Sequence, residues 1–177
     1  MEFDTHKCLK LLKERKNLKK EGKFLWESDK AKSKELTRYL TLLDDQIFWE
    51  SRKNYCQILD LFIRKKISVD EFCHQFYVLR GSNLKASRMW ENNLEEEACG
   101  ILTQSKKIDF QLNPESGGFT KIISNLHSWT NLYDPDITLE MNLKHPELIG
   151  YGISEEFLRL TIEENFLPQL EKYCKKS

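Results

Sequence analysis

Glu71 and His74 stand three residues apart in "EFCH". That is the spacing with which a carboxylate-rich di-metal centre takes ligands from one helix. Such a centre needs the same motif on a facing helix, and the sequence holds no second copy. Glu71 also follows Ser68 by three residues, so "SVDE" reads as a capping box at a helix start. The other histidines, His6, His127 and His145, lie at no i, i+4 spacing from another histidine, and no H-E-x-x-H occurs. Carboxylates cluster at Asp44–Asp45, Glu95-Glu96-Glu97, Glu155–Glu156 and Glu163–Glu164. Acid–base catalysis needs two carboxyls in contrasting environments of one cleft, and runs of neighbours on polar helix faces do not supply that. No phosphate-binding loop, dinucleotide fingerprint or G-x-S-x-G is present. Gly117–Gly118 could seat an anion at a helix start, but Thr120 and Lys121 are weak phosphate ligands. The pair reads better as a linker turn that lets Phe119 enter a core. These residues predict a protein that is not an enzyme and uses no metal or cofactor.

Charge is the stronger signal. The net charge is zero, yet residues 1–34 carry eleven Lys/Arg against six Asp/Glu, and residues 91–177 carry eight against fifteen. A basic front and an acidic back predict separate surfaces for separate partners, or one surface docked on the other. The basic front centres on Lys10, Lys13, Lys16, Lys19 and Lys20. The acidic back centres on Glu91, Glu95, Glu96 and Glu97, with Asp134, Asp136, Glu163 and Glu164 as extensions.

The elements that carry these charges read as helices. Before Asn113 the chain has three glycines and no proline, so long helices are expected. A thin apolar stripe (Cys8, Leu11, Leu12, Leu18) predicts a basic helix over about 5–20, ended by Gly22. Leu36, Leu40, Leu43 and Ile47, then Phe48, Tyr55, Leu59 and Phe62, predict one long helix over 33–67. Trp49 is expected in the core. A tight hairpin leads to a third helix, on the stripe Val69, Phe72, Phe76, Leu79, Ala86, Trp90, Leu94, Ala98 and Ile101. The "GSN" at 81–83 is expected to bend it without ending it. A linker at 106–118 precedes a short helix from Phe119 to about Leu132. A second linker runs over 134–152. The last helix is capped by Ser154, buries Phe157, Leu160, Leu167, Leu170 and Cys174, and is bent by Pro168. The predicted architecture is all-α: an antiparallel four-helix bundle domain over 35–177, with a basic N-terminal arm over 1–34.

Hydrophobic residues are 40% of the 177, and no apolar run is long enough to span a membrane. The charged start lacks the features of a secretory signal. Five widely spaced cysteines without C-x-x-C predict reduced, mostly core thiols. The expected setting is a soluble protein of a reducing compartment, cytoplasm or plastid stroma.

Three runs resemble a known family. They are "YLTLLDDQIFWESRKNYCQILDLFIRKKISVDEFCHQFYVL", "NPESGGFTKIISNLHSWTNLYDPD" and "YGISEEFLRLTIEENFLPQLEKY". Together, over about 39–174, they are similar to the self-protective colicin-like immunity family, as encoded by open reading frames of cyanobacterial and plastid genomes. The "NPESGGF" turn and the helix order carry the likeness. The resemblance implies an antiparallel helical bundle that binds a basic nuclease-like protein through an acidic face, here Glu91, Glu95, Glu96 and Glu97. The basic arm is extra to it. The alternative is an accessory subunit or assembly factor of a larger complex (photosynthetic, ribosomal or transcriptional), docked on RNA, anionic lipid or acidic protein through the arm's lysines.

Overall fold

The structure is a computed structural model that describes residues 3–101 and 112–174. The described residues are mostly helical, without a strand; one isolated parallel bridge joins Tyr133 to Ile153. The helices are α1 (Thr5–Lys20), α2 (Leu25–Ser28), α3 (Lys30–Glu50), α4 (Arg52–Ile63), α5 (Val69–Ala98), α6 (Ser116–Thr130), α7 (Leu139–Lys144), α8 (Glu155–Thr161) and α9 (Leu167–Cys174). No helix among the described residues is long and apolar enough to cross a membrane. The all-α expectation holds. Residues 106–111 of the first expected linker lie outside the described residues.

Contacts group the chain into two units, Met1–Ile47 with Ser82–Ser116 and Phe48–Gly81 with Gly117–Ser177. Helices α3 and α5 each contribute to both. The expected boundary between residues 34 and 35 falls inside α3.

In the first unit α1 buries Cys8, Leu11 and Leu12 against Leu25, Leu36, Tyr39, Leu43, Ile47 and Leu94. At about 1.5–3 kcal/mol for each fully buried aliphatic side chain, this stripe is enough to hold the helix down. Asp4 caps its start, its Oδ1 accepting from Lys7 N at 2.9 Å. Gly22 ends it at φ +72°, where Gly22 N donates to the Lys19 carbonyl and Lys23 N to that of Leu18. Those two bonds satisfy the last carbonyls of the helix.

The second unit has an aromatic core. Trp49 meets Phe119 and Tyr173 edge-on at 6.1 and 5.7 Å, and Tyr55 contacts Phe48, Phe76 and Phe119. Such edge and offset contacts add to plain burial because ring edges are positive and faces negative. Arg159 lies over Phe62 at 3.8 Å and donates to the carbonyls of Phe62 and Ile67, closing the end of α4.

Several expectations need correction. The long helix over 33–67 breaks at Ser51. Ser68 does cap α5, accepting from Glu71 N at 3.2 Å, but the Glu71 carboxylate accepts from Gln75. The second linker contains α7. Cys56 and Cys174, expected as reduced thiols, form a disulfide from α4 to α9 with Cα atoms 5.8 Å apart. The last helix is out of phase with expectation at its start, where Leu160 is exposed and Leu158 buried; Leu170 is buried as expected, together with Ile162, Phe166 and Tyr173. A π-helical stretch, Ile162–Phe166, lies just before Pro168. Proline's ring crowds the preceding turn, and a wider turn relieves it. From Leu158 to Leu170 the buried apolar residues recur every four, and Tyr173 follows after three.

Gly117–Gly118 lie within α6, not in a turn before it. A Cβ on Gly118 would sit 2.7 Å from Tyr173 Oη. Tyr173 is buried and its ring is held by Trp49 and Phe119, so it cannot swing away. Gly118→Ala, a change that ordinarily favours a helix, is therefore expected to lower stability by about 1–2 kcal/mol. Equilibrium denaturation measures this; an unchanged or raised midpoint would refute the close approach.

Candidate functional site

The two charge clusters singled out from sequence meet on α1 and the last turns of α5, both in the first unit. The apolar stripe of α1 fixes which side faces inward. Arg15 follows Leu11 and Leu12 by one turn on the same face, and its guanidinium reaches Glu91 Oε1 at 2.7 Å and Glu95 Oε1 at 3.8 Å. All three side chains are about a quarter to a third exposed, so the pairing is screened less than a surface contact. Lys7 pairs with Glu35, and Lys32 reaches Glu14 at 2.6 Å. The basic helix is thus docked in part on acidic residues of the same unit.

What remains unneutralised differs between the two clusters. Lys10, Lys13, Lys19 and Lys20 are exposed and Lys16 is half-buried. None of the five makes an ion pair among the described residues. Lys10, Lys13, Lys16 and Lys20 follow one another by three or four residues, so they line one side of α1 away from the buried stripe. Glu91, Glu95, Glu96 and Glu97 are all half-buried. The carbonyls of Glu96 and Glu97 accept from Ile101 and Gly100 as the helix ends. Asp134, Asp136, Glu163 and Glu164 belong to the second unit.

Beneath the acidic turn, Asp44 is pushed up to about 6, first by burial, then by the like charges of Asp45 and Glu91. It accepts a hydrogen bond from the Ser87 hydroxyl. Burial raises the Cys8 thiol to about 11, which keeps it protonated and unreactive at neutral pH. Among the described residues no group of three or more His, Cys, Asp or Glu is placed to hold a metal ion. His6, His74 and His145 are exposed. His127 contacts the Tyr77 ring edge at 5.6 Å, and burial and then Arg80 lower its pKa.

Sequence reading singled out the lysines and glutamates but missed Arg15 as the residue that joins them. The signal was available: Arg15 sits at i+3 from Leu12 and i+4 from Leu11, on the same face as the buried stripe. It also missed Arg88 and Lys23, which line a groove with Phe24, Arg15, Lys19, Glu91 and Glu95.

Asp44 gives a pH test. Its folded pKa lies above the unfolded value of 3.8, so its ionisation costs stability as pH rises from about 4 to 6. Asp44→Asn should flatten that part of the stability profile and raise stability at pH 7 by about 1 kcal/mol, after screening of a half-buried group. Denaturation midpoints between pH 4 and pH 7 measure it; a variant that keeps the wild-type slope would exclude Asp44 as the cause. Comparison with protein-family models, curated proteins and solved structures finds no match to this chain.

Proposed function

We propose that this chain is a non-enzymatic binding protein that docks on an anionic partner through the outer side of α1, as an accessory or assembly component of a larger complex. One observation carries this reading. Lys10, Lys13, Lys16, Lys19 and Lys20 have no ion pair among the described residues, while Arg15 takes up Glu91 and Glu95. A row of unneutralised cations on a rigid helix raises association rates with anionic partners and makes affinity salt-sensitive. The helix is part of a folded unit, because Cys8, Leu11 and Leu12 are buried. The docking lysines are therefore pre-positioned and lose little entropy on binding.

A second reading keeps the kinship with the immunity family and its four-helix bundle. It is favoured by Glu96 and Glu97, which continue the acidic turn beyond the Arg15 pair and stay half-exposed. A basic nuclease-like protein would then bind at this turn and compete with Arg15 for Glu91 and Glu95. Electrostatic complementarity would set its association rate.

Charge reversal separates the two. Deleting residues 1–34 would strip buried side chains from the core, so point variants are the better probe. The triple change Lys13→Glu, Lys16→Glu, Lys20→Glu should abolish retention on immobilised polyphosphate and leave the helical circular dichroism unchanged. Glu95→Lys with Glu96→Lys should retain or strengthen it. Unchanged retention of the triple variant would overturn the α1 reading.

A further inference from the structure

The chain after α1 keeps two large rings in solvent. Leu25 is buried at 5% exposure, while its neighbours Phe24 and Trp26 are 56% and 57% exposed. Their rings stack on each other, with centroids 6.3 Å apart and planes at 27°. Leu25 anchors the segment in the core, and its two neighbours are displayed as one aromatic platform. Burying rings of this size would be favourable by about 2 kcal/mol each, so their display calls for an occupant.

The surroundings define that occupant. Phe24 forms part of the wall of a groove of about 460 Å³, together with Arg15, Lys19, Lys23 and Arg88. Its two carboxylates, Glu91 and Glu95, are engaged by Arg15. Lys23 contacts Glu21 at 3.1 Å in an exposed, easily exchanged pair. Lys19 and Arg88 make no ion pair among the described residues. Cations alternating with a flat aromatic surface match a strand in which phosphates alternate with unpaired bases. Base–aromatic stacking is tolerant of sequence because every base has a π-face.

We propose that this groove binds single-stranded nucleic acid, with phosphates on Lys19, Lys23 and Arg88 and a base stacked on the Phe24–Trp26 platform. The inference rests on the α1 docking reading above and names its partner. A duplex keeps its bases stacked inside and has none to offer. A bilayer would take the rings on a convex tip, whereas Phe24 faces a concavity flanked by charge.

The test uses the full chain at low salt with three probes: fluorescein-labelled oligouridylate and oligothymidylate, sodium polyphosphate, and phosphatidylserine–phosphatidylcholine vesicles. The wild-type chain should bind one or both oligonucleotides. The double variant Phe24→Ala, Trp26→Ala should weaken that binding about tenfold or more and leave polyphosphate binding unchanged. Both positions are exposed, so the variant should keep its fold, which thermal unfolding monitors. Lys19→Glu with Lys23→Glu should weaken oligonucleotides and polyphosphate alike. Equal oligonucleotide affinity in wild type and the aromatic variant would overturn the stacking site while α1 docking stands. Vesicle binding with a blue-shifted tryptophan emission, and no oligonucleotide binding, would overturn it in favour of a membrane. Failure of all three probes to bind would overturn both this inference and the docking reading beneath it.

Discussion

The contact of Arg15 with Glu91 and Glu95 decides what this protein presents to others. A basic helix and an acidic helix turn belong to one folded unit, and one guanidinium joins them. The two effects involved differ in size. A partly exposed ion pair of this kind is worth about 1 kcal/mol. Burying Leu11 and Leu12 contributes about 1.5–3 kcal/mol apiece. Burial therefore holds α1 in place, and Arg15 sets its register and selects the charges that are left over. The selection favours lysine: five on α1 make no ion pair among the described residues, while Arg15 engages Glu91 and Glu95 on α5.

The second unit is organised by a different constraint, the close packing of rigid rings. Tyr173, its ring held by Trp49 and Phe119, leaves no room for a methyl group at Gly118. Arg159 then ties α8 to the end of α4 with its planar fork, and its carboxylate partner Glu155 lies one turn away. Within α7, Asn142 is buried and bonds both the Gly152 carbonyl and Ser154 N of the loop that follows. A loop without an apolar stripe is thereby fixed by one amide side chain.

The degree to which this was legible in the sequence follows the same physics. Amphipathic stripes located α1, α5 and α6, because period alone dictates a buried face. The end of α1 at Gly22 and the start of α8 at Ser154 were legible from cap chemistry. The Ser51 break was hidden because Phe48 and Tyr55, seven residues apart, keep helical spacing across the polar residues between them. α7 was hidden because six residues hold no period. The phase was misread at the start of the last helix, where Leu158 rather than Leu160 faces inward ahead of the π stretch. The bond between Cys56 and Cys174 depends on tertiary proximity over a separation of 118 residues. At the candidate site both charged clusters were visible as runs. The face on which Arg15 lies was legible, but its pairing with Glu91 and Glu95 depends on how α1 packs on α5, which no local pattern encodes.

The most direct test of the central claim is backbone NMR chemical-shift mapping during a polyphosphate titration at low salt. The account predicts shifts concentrated at Lys10, Lys13, Lys16, Lys19, Lys20 and Lys23, with the amides of Glu95, Glu96 and Glu97 nearly unmoved. Shifts spread evenly over both units, or none along α1, would contradict it.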